Sequence, residues 1–169
     1  MKVAIIGSRE YENSRKIKDT LTELKKRFGD KLIIISGGAQ YGADKFARKY
    51  ALEFGLRYRE FNPAHTVKNL YSAMSEDYYE KPYHVSQFHH RNMLIARDCD
   101  VMMVFIPNGA DSKGSMSAIK RAKKLNKKVT IISWVEKMNF NTNQGFHYEI
   151  RELGKKYLKI NNKEAWLKY

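Results

Sequence analysis

The sequence predicts an α/β fold, a three-layer sandwich in which a mostly parallel sheet of about five strands carries helices on both faces. Short runs that are almost purely apolar, such as Val3-Ala4-Ile5-Ile6 and Leu32-Ile33-Ile34-Ile35, have the composition of strands buried on both sides. Amphipathic stretches of helical period separate these runs, as crossover helices do in a parallel sheet. Two of the runs end in glycine-containing turns, Gly7-Ser8-Arg9 and Ser36-Gly37-Gly38-Ala39, each leading into a helix-like segment.

Strands are predicted at roughly residues 2–6, 31–36, 57–61, 100–106 and 128–134. The third is the most polar, with Arg57 and Arg59 alternating around Tyr58, and that alternation suits a sheet edge. Ile17, Leu21, Leu24 and Phe28 recur at helical spacing, as do Phe46, Tyr50, Ala51 and Phe54, and Gly29 and Gly55 stand where helix-ending glycines belong. A third helix is expected over about 86–98 and a fourth over about 115–126, the latter turning Ile119, Ala122 and Leu125 inward and its lysines outward. The segment from Asn62 to Val85 is longer than an ordinary connection and holds Pro63, Pro82 and the tyrosines 71, 78, 79 and 83, so it reads as a lid or a surface excursion. Regular alternation ends near residue 138. Residues 1–138 therefore read as one domain and 139–169 as a C-terminal extension packed on it, with a loop over 139–145 and a helix from His147 to Lys156.

With 169 residues, a single domain is expected. Lys plus Arg exceeds Asp plus Glu by 32 − 18, a net charge of +14 that attracts polyanions such as nucleic acid or phosphorylated metabolites. The densest basic run is Lys120, Arg121, Lys123, Lys124, Lys127 and Lys128, at the end of the fourth helix. It suits a nucleic-acid backbone or simply complements the helix C-terminus. Cys99 is the only cysteine, which excludes an internal disulfide and fits a reducing cytosol. The apolar run at the start stops at Gly7, too short for a signal peptide or a membrane span, so a cytoplasmic protein without membrane contact is expected.

The chemistry concentrates at the ends of the predicted strands. Glycines there allow close approach to an anion, and the first amides of a following helix point unpaired hydrogens at it. Two such turns predict a nucleotide-like ligand. Ser8 and Arg9 follow Gly7 at the carboxyl edge, and the guanidinium fork of Arg9 suits phosphate. Gly37, Gly38 and Ala39 offer backbone donors. Asp44, in the first turn of the next helix, is placed to accept from a ribose, to hold the neighbouring loop, or to complement the helix dipole. The second turn lacks the Gly-Lys-Ser/Thr ending of an ATP-hydrolysing phosphate loop. His84, His89 and His90 have no carboxylate at ligand spacing, so no metal site is expected, and no cofactor is required. Lys113, Gly114 and Ser115 lie where the loop after the fourth strand enters its helix, and they supply further amides and a charge.

Four pieces in order resemble the SLOG superfamily, which includes the DprA/Smf DNA-processing proteins, the LOG enzymes and small YspA-like and YpsA-like proteins. They are Gly7-Ser8-Arg9 with Tyr11, the run from Ser36 to Asp44 with Ala47 and Ala51, Arg91-Asn92, and Lys113-Gly114-Ser115. The chain is most similar to the YspA-like single-domain group. That resemblance implies a Rossmann-like sheet, a nucleotide-derived ligand that is sensed or processed, and self-association into homo-oligomers. It also implies that Arg91 points to the ligand, with Asn92 beside it. If the protein is an enzyme, the reaction implied is hydrolysis of a nucleotide N-glycosidic bond, with Arg91 and Asp44 as catalytic candidates and Asp44 and Glu10 as the acids near the turns. Ala118 stands where the LOG enzymes carry a catalytic glutamate, which disfavours chemistry of LOG type. The segment from Ser112 to Ala118, together with Arg91-Asn92, is similar to DprA, and this implies the alternative of single-stranded nucleic-acid binding, with the tyrosines of the 71–83 region stacking on bases.

Overall fold

A computed structural model describes residues 1–63, 72–74, 84–110, 112–134, 148–151 and 158–160. Among the described residues, seven strands and four α-helices follow one another as β1 (Lys2–Gly7), α1 (Ser14–Phe28), β2 (Ile33–Ser36), α2 (Gly42–Glu53), β3 (Arg57–Glu60), α3 (Val85–Asp98), β4 (Val101–Pro107), α4 (Lys113–Lys124), β5 (Lys128–Trp134), β6 (Tyr148–Arg151) and β7 (Leu158–Ile160). The sheet order is β3-β2-β1-β4-β5-β6-β7. The first five strands are parallel, so the fold is the expected Rossmann-like α/β architecture. The chain winds outward from β1 to β3, then crosses to the other side of β1 to lay down β4 and β5. Such a reversal opens a crevice beyond the carboxyl ends of β1 and β4, where ligands bind in open α/β sheets.

Alternating side chains of each central strand feed two cores. Val3 and Ile5 of β1, Ile34 of β2 and Met103 and Phe105 of β4 pack with Ile17, Leu21, Ala47 and Ala51 of α1 and α2. Ala4 and Ile6, Ile35, and Met102, Val104 and Ile106 pack on the opposite face with Ile95, Ala96, Ile119 and Ala122 of α3 and α4. Each fully buried Val, Leu or Ile contributes about 1.5–3 kcal/mol relative to exposure, which is why the strands with no polar face occupy the centre. The mixed strand β3 lies at the sheet edge, as its alternation predicts.

Three expectations need correction. The helix placed over His147–Lys156 is contradicted where the chain is described, because Tyr148–Arg151 form β6, antiparallel to β5, with Ile132 opposite Ile150 and Trp134 opposite Tyr148. Tyr and Ile at alternate positions have strand propensity, and β5 would otherwise present an open row of backbone groups. β7 extends this antiparallel edge, so two antiparallel strands are added to the five parallel strands that the sequence predicts. Leu125, expected inward, is 42% exposed: α4 ends at Lys124, and the chain reverses at Asn126 with φ 54°. Helix α4 also begins at Lys113, two residues before the expected start.

Within the long connection after β3, Ser72 bridges to Glu60, and Met74 enters the α3–α4 core. Tyr71, Tyr78, Tyr79, Tyr83 and the loop over 139–145 lie outside the described residues. Among the described residues no helix is long and apolar enough to cross a membrane.

Candidate functional site

At the carboxyl edge, Gly7 ends β1 in contact with two neighbouring elements. A side chain there would be driven into the carbonyl oxygen of Phe105 and to 2.8 Å from the Cβ of Ala43. Glycine is therefore required by packing. Ser8 N–H donates to the Phe105 carbonyl at 2.9 Å, and the Ser8 carbonyl accepts from Ala43 N–H at 3.2 Å, which fixes the first turn between β4 and α2. Arg9, the next residue, is exposed and holds its guanidinium carbon 5.8 Å from the ring centre of Phe88 on α3.

The second turn is held from both sides by polar groups, the half-buried Arg91 and the buried Asp44, Glu60 and Asn62. Arg91 Nη1 donates to the Gly37 carbonyl at 2.5 Å. Asp44, 6% exposed, accepts the Ala39 N–H on Oδ2 at 3.2 Å. On the other side Asn62 Nδ2 donates to the Gly38 carbonyl at 3.1 Å and reaches Glu60 Oε1 at 3.4 Å, while the Tyr58 hydroxyl donates to Glu60 Oε2 at 2.7 Å. Gly38 has φ +72°, and an added Cβ would lie 2.6 Å from Glu60 Oε1, so both conformation and space demand glycine. Of the roles open to Asp44, the geometry realises that of loop clasp. Burial pushes the Asp44 carboxyl up to about 6, against the pull of Arg91 and the Ala39 hydrogen bond, and the nearby Glu60 pushes it further up. Its Oδ1 is buried without a hydrogen-bond partner. Burial, with Glu60 adding to it, also raises the Tyr58 phenol, which stays a neutral donor.

Asn92 joins this cluster to the third loop. Its Oδ1 accepts from Arg91 Nε at 2.9 Å, and its Nδ2 donates to the Gly114 carbonyl at 3.1 Å. The Ser112 and Ser115 hydroxyls are 2.6 Å apart, Ser115 being buried and Lys113 exposed. Among the described residues a Cβ on Gly114 would meet nothing within 4 Å, so none of them requires this glycine.

The expected residues thus fall into three groups. Gly37, Gly38, Ala39, Asp44, Arg91, Asn92 and Gly114 form one hydrogen-bonded chain across α2, α3 and α4. Gly7 and Ser8 join it through Ala43, and Arg9 through Phe88. Lys113 is exposed at the start of α4, and the buried Ser115 turns its hydroxyl to Ser112. Two of the backbone donors expected in the second turn are already engaged, Gly38 N–H by Ser36 Oγ at 3.4 Å and Ala39 N–H by Asp44, and the Ser8 N–H is likewise taken by Phe105.

The pairing of Asp44 with Glu10 as the nearby acids is corrected. Glu10 is exposed with its N–H on Ser8 Oγ, whereas Glu60, 1% exposed, lies against Gly38. Glu60, Asn62 and Phe88 were missed by sequence reasoning. Glu60 had one signal, its place at the carboxyl end of a strand beside the glycine turn. Phe88 had another, lying one helical turn before Arg91. The Arg91 guanidinium is 5.3 Å from the Phe88 ring centre, so this ring contacts both candidate arginines. Tyr41, in the loop before α2, is 65% exposed. Ala118 is 1% exposed and belongs to the α3–α4 core, so the position of the missing glutamate is filled by packing. His89 is taken up elsewhere, its ring 3.3 Å from Ser117 Oγ and its carbonyl accepting from Arg121. Among the described residues no three His, Cys, Asp or Glu side chains group as metal ligands do.

A parallel sheet reversing at β1, glycine turns at its carboxyl edge and an arginine reaching them from α3 define a protein of the SLOG class. The chain belongs to the circularly permutated YpsA SLOG family, which matches residues 34–161. The YspA, cpYpsA-related SLOG family matches residues 1–66. Among solved structures it is similar to DNA processing protein A from Helicobacter pylori, which was described for its single-stranded DNA binding mode. The two share 25% identity and a TM-score of 0.57, over 83% of this chain and 67% of that one. No curated protein matches.

Proposed function

We propose that the protein binds a nucleotide or nucleotide-derived ligand at the carboxyl edge of its sheet. The observation that carries this reading is the convergence of Arg9 and Arg91 on Phe88, above glycine turns fixed by Asp44, Glu60 and Asn62. Two guanidinium groups suit a phosphate or diphosphate, and the exposed ring of Tyr41 suits a base. Exposed Gly114 leaves room for close approach to the first turn of α4.

Thermal shift against ribonucleoside mono- and diphosphates tests the reading. A ligand at about 100 times its Kd adds about 2.7 kcal/mol, a rise of several degrees in Tm. The rise is expected to disappear in Arg91→Ala. It is also expected to weaken in Arg9→Ala, whose exposed side chain can be removed without disturbing the core. Absence of stabilisation by every nucleotide overturns the reading.

The similarity to DNA processing protein A favours a second reading, in which the same edge takes a single-stranded nucleic acid. An oligonucleotide then binds where mononucleotides do not, with affinity falling steeply as salt rises and lost in Arg91→Ala.

A further inference from the structure

Two carboxylates lie against the adjacent glycines of the second turn. A side chain on Gly37 would run into the Arg91 guanidinium and lie 2.8 Å from Asp44 Oδ2, and one on Gly38 would lie 2.6 Å from Glu60 Oε1. Both acids are buried, and among the described residues neither forms an ion pair. They differ in their donors. Each oxygen of Glu60 has one, the Tyr58 hydroxyl at 2.7 Å and Asn62 Nδ2 at 3.4 Å. Asp44 accepts the Ala39 N–H on Oδ2 alone, and its Oδ1 is buried without a hydrogen-bond partner.

The surroundings of Asp44 combine opposed effects. Burial opposes its charge most, Arg91 from α3 and the Ala39 N–H favour it, Glu60 from β3 opposes it, and Arg9 from the loop after β1 favours it. The Tyr58 phenol on Glu60 stays neutral. An ionised Asp44 therefore depends chiefly on Arg91. An anion that settles on Arg91 takes up this compensation and adds a second negative charge beside the carboxylate. A proton relieves the conflict without disturbing the turn, because Oδ1 can carry it while Oδ2 still accepts from Ala39.

We propose that the carboxyl-edge site binds its anion together with a proton from solvent, which Asp44 takes on Oδ1 as the anion settles on Arg91. This linkage rests on the nucleotide site proposed above and supplies its regulation by pH. In the free protein the Asp44 carboxyl is held at about 6, so at pH 7 it is mostly ionised before binding. Its value in the complex is higher still, so affinity rises as pH falls through that higher value and levels off below about 6.

Isothermal titration calorimetry tests this with the four ribonucleoside 5′-diphosphates, on the wild type and Asp44→Asn, at pH 6, 7 and 8 in buffers of different ionisation heat. Asparagine keeps an acceptor for Ala39 N–H. Subtracting the variant from the wild type cancels ionisation of the phosphates and of His84, His89 and His90 around the start of α3. The wild type is expected to take up about half a proton more than the variant at pH 7, and its affinity to rise about five- to tenfold more between pH 8 and pH 6. The variant is expected to bind more tightly than the wild type at pH 8 and similarly at pH 6. Glu60→Gln is expected to keep the uptake but to displace it to lower pH, since Glu60 opposes charge on Asp44. Weaker binding by Asp44→Asn at every pH, or equal proton uptake by the two proteins, overturns the linkage and leaves nucleotide binding standing. Failure of every diphosphate to bind the wild type overturns both. If Asp44→Asn does not fold, infrared difference spectra of the wild type decide: a gain of protonated-carboxyl absorbance on adding the diphosphates supports the linkage, and no gain overturns it.

Discussion

Asp44 shows how one residue ties the glycine turn to solvent pH. Its carboxyl is raised by burial from 3.8 to about 6, so the folded protein holds the proton more tightly than the unfolded chain does. Proton binding therefore favours the fold, and the contribution is complete below about pH 4. It is lost as pH rises through about 6, because the buried carboxylate is then ionised, only partly offset by Arg91 and the Ala39 N–H. A displacement of about two pH units corresponds to about 3 kcal/mol. Asp44→Asn keeps an acceptor for Ala39 N–H and removes the ionisation. The stability of the wild type minus that of Asp44→Asn, from urea unfolding at pH 4 and pH 7, is expected to fall by up to about 3 kcal/mol between the two. Taking the difference cancels groups of opposite sign, such as Asp98, whose carboxyl is held low by Lys2 and Arg59 despite partial burial. A difference that does not change with pH contradicts the buried-acid geometry.

Each element was legible to the extent that its own residues decide its structure. In α1, the inward period of Ile17 and Leu21 and the terminal Gly29 are local signals, and the helix is where they put it. Its start rests on Asn13, whose Oδ1 accepts the Lys16 N–H at 3.0 Å. Asn13→Ala is expected to cost about 1 kcal/mol, read as a lower urea midpoint at unchanged m-value, since the cap satisfies one otherwise unpaired donor. The double-sided apolar runs of β1 and β4 were equally plain. β6 was not, because four residues gain strand structure by pairing with the edge of β5 rather than from a strong pattern of their own. The candidate site divides in the same way. Gly7, Gly38 and Asp44 stand beside sequence landmarks, strand ends and helix starts. Glu60 was hidden because its burial depends on Tyr58, Asn62 and Gly38 meeting around it, and alternation with Arg57 and Arg59 gave it the appearance of an edge residue.

Charge acts on the molecule as a whole. At +14, the folded chain gathers its cations into a smaller volume than the unfolded chain does, and mutual repulsion opposes folding. A folded chain of this length has a radius of gyration of about 15 Å. The screening length is about 30 Å at 0.01 M salt and about 8 Å at 0.15 M, so nearly every pair of cations interacts at the lower concentration and distant pairs do not at the higher. Among the described residues the ion pairs on Lys2, Lys18, Lys26 and Arg59 weaken with salt, but surface pairs contribute at most about 1 kcal/mol each. Repulsion is the larger effect, and Tm is expected to rise by several degrees between 0.01 and 0.15 M sodium chloride. Lys123→Glu with Lys124→Glu lowers the net charge by four, from +14 to +10, and thins the densest basic run. That variant is expected to have a higher Tm than the wild type at low salt and a smaller rise on adding salt, with the two converging near 0.15 M. A wild-type Tm that falls as salt is added means that the ion pairs outweigh the repulsion, and the excess of lysine then carries no cost to the fold that a bound polyanion would relieve.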